Sequence, residues 1–158
     1  MQRSWRDDND KLTFILTLST ADGAINDAPT QLVGDVNIFI AEDEDEAGVF
    51  GGEVELMIAK KEMQGNGYGR AALLLFLWYV LRRKKDIGVN YLRVKIGQDN
   101  ARSIGLFESV GFVKMSETPS YFGEFELRRK NMEVAEVERL IREAGVEGEK
   151  EVVYKVST

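Results

Sequence analysis

Gln64-Gly65-Asn66-Gly67-Tyr68-Gly69-Arg70 lies between two readable segments. Before it, Gly52 to Ala59 (GEVELMIA) alternates as a strand. Glu53, Glu55 and Met57 point one way, and Val54, Leu56 and Ile58 the other. After it, an apolar run reads as a helix from Tyr68 to about Arg83. Glycines let a backbone turn tightly and approach a ligand with no Cβ in the way. A helix start presents unpaired N–H groups and a partial positive charge. A strand, a glycine loop and a helix start together make an anion cradle suited to a pyrophosphate.

Two familiar phosphate loops fit poorly. Gly67-Tyr68-Gly69-Arg70-Ala71-Ala72 matches the G-x-G-x-x-A variant of the dinucleotide fingerprint. That fingerprint closes the first strand of its unit and has an acidic residue about 20 positions on. Here three strands precede the loop, and the nearest acidic candidate, Asp99, lies further away. No Gly-Lys-Ser/Thr follows, so a Walker loop is excluded.

Outward from the loop, Leu12 to Ser19 and Leu32 to Ile40 read as strands, with a turn from Asp22 to Pro29 between them. The acidic run Glu42 to Glu46 sits in a hairpin loop and reads as solvated. Ala71 to Leu81 is apolar all round, the mark of a helix buried on most sides. The basic run Arg82 to Lys85 suits that helix's negative end. Tyr91 to Ile96 is another alternating strand. Asp99-Asn100 signals a helix cap, and Gly111 stops that helix. Phe112 to Glu117 and Tyr121 to Leu127 read as an antiparallel pair turning at Thr118-Pro119-Ser120. Met132 to Ala144 is an amphipathic helix, and Val152 to Val156 reads as a last strand. The helix stripe of Val134, Val137, Leu140 and Ile141 must bury on its own domain or on a second copy, so a homodimer is possible. The order predicts an α+β fold: a mixed sheet with helices packed on it.

Composition narrows the chemistry. The sequence has no cysteine and no histidine, so disulfides, thiolate metal sites, an acyl-cysteine route and the usual general base are absent from it. Acid–base work falls to Asp, Glu, Tyr, Lys or water. The net charge of -6 argues against a nucleic-acid partner. The longest apolar run is far short of the ~20 residues of a membrane span. Met1 to Trp5 is followed by no signal-peptide core. A soluble, cytoplasmic protein with no membrane partner and no metal is the expectation.

The second motif is Asn100-x-x-Ser103-x-x-Leu106-Phe107-x-x-x-Gly111-Phe112. With Gln64, Gly67 and Gly69 before it and a strand between, it resembles the GNAT superfamily of acetyl-CoA-dependent N-acetyltransferases. Gly34-Asp35-Val36-Asn37, Gly52-Glu53-Val54-Glu55, Met57-Ile58-Ala59, Lys95-Ile96-Gly97 and Phe122-Gly123-Glu124 are similar to the N-acetyltransferase 9 family, over roughly residues 1–127.

The resemblance implies a mostly antiparallel twisted sheet in a three-layer α/β/α arrangement. Residues 1–130 would form the acetyl-CoA-binding core, and 131–158 a helix–strand extension of it. The sequence starts close to the family's second strand, so the usual first strand and helices are not expected in it: either the chain is truncated or its acceptor site is unusually open. Backbone groups of Met57 and Ile58 would pair with the pantetheine arm in a gap beside the Tyr91–Ile96 strand. Gln64, Gly65, Asn66, Gly67, Tyr68, Gly69 and Arg70 would hold the pyrophosphate. Asn100, Ser103 and Phe107, from the second motif, complete the expected cofactor-binding set; Asn is also a favoured cap without any ligand, and Phe107, with Ile104 and Leu106, also reads as core. Glu53 or Glu55 would take the proton of the attacking amine. Many members carry a Tyr where Phe107 stands, to protonate the leaving thiolate, and Tyr121 is a candidate replacement. The implied reaction is acetyl transfer to a primary amine, a protein or peptide N-terminus or a lysine. The alternative is a CoA-binding or protein-interaction module with little catalysis.

Overall fold

Alternation of apolar and polar residues gives each long strand one face for a core. In the computed structural model, which describes residues 9–18 and 29–146, six strands form one sheet in the order β1-β2-β3-β4-β6-β5. They are β1 (Lys11–Thr17), β2 (Leu32–Glu42), β3 (Phe50–Ile58), β4 (Tyr91–Gly97), β5 (Val113–Lys114) and β6 (Glu124–Arg129). Only β3 and β4 pair in parallel. A parallel pair needs a long crossover, and α1 (Tyr68–Arg82) supplies it, followed by the short α2 (Lys84–Ile87). Next come α3 (Ala101–Glu108), between β4 and β5, and α4 (Val134–Glu143), after β6. This is the α+β fold that the element order predicts, with the mostly antiparallel sheet that the resemblance implies.

Register sets the core face. Leu12 pairs with Ile38, Ile38 with Val54, Gly52 with Leu92, and Val94 with Leu127, so these residues share one side. Leu73, Leu77 and Val80 of α1, Ile104 and Phe107 of α3, and Val137 and Ile141 of α4 bury in the same cluster. Phe14 meets Phe76 and Tyr79 edge-on, at 5.5 and 5.2 Å between ring centroids. The apolar stripe of α4 thus packs on its own domain.

The described helices all pack on that face. Handedness is the reason. The crossovers β3–α1–β4 and β4–α3–β5 each join parallel strands and step the same way across the sheet. Right-handed crossovers that step the same way lie on the same side.

The other face is polar. Tyr91 donates its hydroxyl proton to Asp43, and the Arg128 guanidinium stacks on the Tyr91 ring at 4.6 Å while reaching Asp43 at 3.4 Å. The Tyr91 hydrogen bond holds the Asp43 carboxyl below its ordinary pKa, and burial raises that of Tyr91. Gly51 makes room, because a Cβ there would lie 2.6 Å from the Tyr91 ring. Thr13 donates to Asn37 at 2.7 Å, and Asn37 to Asp35 at 2.6 Å. Ile15 and Met57 are exposed on this side.

Several elements differ from the sequence reading. The hairpin strands shrink to Val113–Lys114 and Glu124–Arg129, because serine hydrogen bonds organise the connection. Ser116 accepts from Thr118 N–H, and Ser120 N–H donates to the Glu124 carbonyl. Asp43 leaves the solvated acidic run to join Tyr91 and Arg128. The basic run does more than end a helix. Arg82 stacks on Trp78 at 4.6 Å, and Lys84 donates to the Met132 carbonyl at 2.9 Å, bracing the approach to α4. Arg129 is fully buried, a feature the sequence reading lacked. It donates to the Val110 carbonyl at 3.1 Å and pairs with Glu136 at 3.0 Å. Burial lowers its pKa. Most of the Asp22–Pro29 turn and all of the Val152–Val156 strand lie outside the described residues. Among the described residues, no helix is long and apolar enough to cross a membrane.

Candidate active site

The parallel ladder between β3 and β4 is short. It runs Gly51↔Tyr91, Gly52↔Leu92, Glu53↔Arg93 and then stops. β3 continues to Ile58 against β2, while β4 continues to Gly97 against β6. The two strands therefore splay, as the resemblance implied. Backbone direction alternates along a strand. Asn90 N–H donates to the Phe50 carbonyl on the β4 side, whereas Ala59 N–H donates to Val33 on the β2 side. Val54, Leu56 and Ile58 consequently turn their backbone groups to the gap. Met57 does not: its carbonyl lies against Gly34 of β2, 1.9 Å from where a Cβ would be. This corrects the expected pairing of Met57, since strand alternation gives the gap to Leu56 and Ile58. The Ile58 carbonyl accepts from Gln64 Nε2 at 2.9 Å, which ties the loop to the strand end.

The loop needs its glycines. Gly65 and Gly67 have φ of +81° and +86°, in the left-handed region that side chains disfavour. Gly67 caps α1 with no side-chain partner, and its carbonyl accepts the first helical bond, from Ala71 N–H at 3.0 Å. The N–H groups of Tyr68, Gly69 and Arg70 precede that bond, so the first turn keeps free donors.

A cavity of about 720 Å³ opens along this path, within the range of small-molecule sites. Its strand wall is Leu56, Met57 and Ile58, and its loop wall is Gln64, Gly65, Gly67, Gly69 and Arg70. The third wall is α3, through Asn100, Arg102, Ser103, Leu106 and Ser109. Asn100 caps α3, its Oδ1 accepting from Ser103 N–H at 3.2 Å. Arg70 reaches Ser109 Oγ at 3.5 Å. In a chain of net charge -6, this lining has two guanidinium groups and no carboxylate.

Three expected cofactor-binding residues are not part of the cavity lining. Phe107 is buried in the core, edge-on to Phe112 at 5.1 Å, because its position on α3 turns it into the cluster beneath the sheet. Asn66 donates to the Glu62 carbonyl at 3.0 Å within the loop, and Tyr68 is exposed on the outer side of the first turn. Neither lines the cavity. Arg102, Leu106 and Ser109 do line it, and sequence reasoning missed them. Their spacing of four and three residues puts them on one helical face, a signal that the cap at Asn100 could have anchored.

The two glutamates share the uncovered face but not their surroundings. Glu53 Oε2 lies 3.0 Å from Arg93 Nε and 3.7 Å from Lys95 Nζ. Glu55 is exposed, with no hydrogen bond or ion pair to a described residue. Tyr121 is 98% exposed at the connection between β5 and β6, edge-on to Phe122.

The sheet and crossover around this cleft are those of the GNAT acetyltransferases, and the chain belongs to that family. The family model for the acetyltransferase (GNAT) domain matches residues 1–113. Over 114 residues the chain is 41% identical to alpha/beta-tubulin-N-acetyltransferase 9 of Drosophila melanogaster, a match covering 72% of this chain and 56% of that protein. The chain thus spans little more than half of that relative's length. Among solved structures it is similar to a spermidine N-acetyltransferase, SpeG, from Vibrio cholerae. That match has a TM-score of 0.60 at 17% identity, covering 89% of this chain and 75% of that one. It is also similar to a chain in the NatC complex bound to Gag peptide and CoA, with a TM-score of 0.55 at 13% identity, covering 75% and 70%.

Proposed function

We infer that this chain carries an acetyl-CoA-dependent N-acetyltransferase site that acts on a primary amine of a protein or peptide. The observation that carries the reading is the splay of β3 from β4 directly above the glycine cradle. Its residues fit the carrier. The free backbone edge at Leu56 suits the amide-bearing pantetheine arm, and the cradle N–H groups with Arg70 suit the pyrophosphate. Asn100 and Ser103 stand on the wall opposite the strand. The name of the Drosophila relative supports a protein acceptor.

The thioester supplies an activated acetyl group when it is bound. The acceptor amine attacks its carbonyl carbon, the C–S bond breaks, and CoA leaves as the thiolate. A backbone N–H at the splay is placed to stabilise the oxyanion. The amine proton goes to a carboxylate, directly or through one water. Glu55 is the better placed of the two glutamates, because Glu53 already neutralises Arg93 and Lys95. No tyrosine stands at position 107, so the thiolate leaves without that acid. A thiol of ordinary pKa, about 8.5, is a workable leaving group.

One observation favours a second reading, a CoA-binding module with little turnover: Phe107 brings no hydroxyl and is sealed in the core. The decisive experiment follows thiol release from acetyl-CoA with a free-N-terminal peptide, a lysine peptide and spermidine as acceptors. Release above background with a peptide acceptor supports the transferase. Saturable CoA binding without release supports the module.

A further inference from the structure

Arg102 has no part in what the resemblance assigns to the cleft, yet its place is specific. It is the second residue of α3, on the wall across from the glycine loop. Its Nη2 lies 3.1 Å from the position a Cβ would take on Gly65. Its guanidinium makes no ion pair or hydrogen bond with a described residue, although the chain carries 27 acidic side chains. It hangs over the glycine whose φ of +81° opens the cradle.

Arg70 stands on the opposite wall, at the third position of α1, and is steadied by Ser109. An anion resting on the N–H groups of the first turn would therefore meet one guanidinium from each side. Arginine presents five donors in a planar fork that matches phosphate oxygens. A lone helix start does not bring a second charge from another element, and this cleft does.

We propose that Arg102 is the second jaw of a phosphate clamp, closing on the pyrophosphate of the acyl carrier from α3 while the glycine loop and Arg70 hold it from α1. This rests on the reading of the cleft as a CoA site and adds a specificity-determining residue to it. The clamp grips the pyrophosphate, so it selects carriers that have one over carriers that end at pantetheine. The adenosine 3′-phosphate is not its target, because the guanidinium lies over Gly65 itself.

The test is calorimetric titration of the full chain and its Arg102→Gln variant with CoA, dephospho-CoA and pantetheine. The wild type is expected to bind CoA and dephospho-CoA well and pantetheine weakly. Arg102→Gln is expected to weaken both pyrophosphate-bearing ligands by about 10- to 100-fold and to leave pantetheine unchanged. Its loss should also flatten the salt dependence of CoA binding. Arg102→Lys, which keeps the charge but not the fork, should fall between. The side chain is exposed, so an unchanged melting temperature will certify both folds. Equal CoA affinity in wild type and Arg102→Gln overturns the clamp while leaving the CoA site standing. A loss for CoA but not dephospho-CoA also overturns it, moving the contact to the 3′-phosphate. If the wild type binds neither nucleotide, the reading of the cleft falls, and the clamp falls with it.

Discussion

Glu53 and Arg93 face each other at the last rung where β3 and β4 still pair, and their side chains close a 3.0 Å ion pair on the uncovered face. One residue further along, the strands part. The pair therefore pins the apex of the cleft, and it ties up the carboxylate nearest to that apex. Glu55, two residues on and on the same face, has no hydrogen bond or ion pair to a described residue.

This separates the two glutamates kinetically. Glu55→Gln is expected to lower kcat by about 100-fold or more, the usual range for a lost general base, with CoA affinity unchanged. Glu53→Gln is expected to act differently, because it loosens the apex, weakening CoA binding more than it lowers kcat. Steady-state kinetics with CoA titrations of both variants would measure this. A Glu53→Gln variant with the larger loss in kcat would reverse the assignment.

Gly67 has open space around it but a φ of +86°. Gly67→Ala should therefore lose about 1 kcal/mol of stability from backbone strain alone. It should also weaken CoA binding, because relief of the strain turns the first N–H groups of α1 away from the cradle. Chemical denaturation together with a CoA titration would detect both effects. An alanine variant with native stability and affinity would show that the loop adapts.

The Asp43–Tyr91 bond predicts a pH dependence at both extremes. The Asp43 pKa is lowered in the folded protein, so its contribution is present above the unfolded carboxylate value, about 3.9, and fades as pH falls through the folded one. The Tyr91 pKa is raised, so its contribution is present below the unfolded phenol value, about 10, and fades as pH rises through the folded one. Tyr91→Phe should lower the melting temperature at neutral pH and flatten both limbs. Melting curves from pH 3 to 11 would measure this. Limbs identical in wild type and variant would show that the bond contributes nothing to them.

Arg129 is fully buried, and its Nη1 finds no partner among the described residues. Arg129→Ala should destabilise by about 3–5 kcal/mol, through a cavity and a Glu136 left without its cation. Arg129→Met fills most of the volume with no charge to bury and should lose much less. Urea denaturation of both variants makes the comparison. Equal losses would mean that the ion pair, rather than packing and desolvation, governs this site.

Local pattern made much of this molecule readable. Alternation from Gly52 to Ala59 placed Glu53, Glu55 and Met57 on one face, and Asn100 was legible as a cap because capping needs only its own helix start. The glycine cradle was legible for the same reason, since the φ of Gly65 and Gly67 is a demand of the turn itself. These features depend on neighbours within a few residues.

Other features depend on what comes together from far along the chain. The sequence by itself determined the first four strands, the three longer helices, the glycine turn and the family they resemble. Tertiary structure alone decided that Leu56 rather than Met57 offers its backbone to the gap, and that Arg102 hangs over Gly65. It also decided that Arg93 and Lys95 claim Glu53, and that Arg129 is buried against Val110 and Glu136. The physical reason is range. Periodicity fixes which residues share a face of one element, whereas crossover handedness and strand register fix which faces meet.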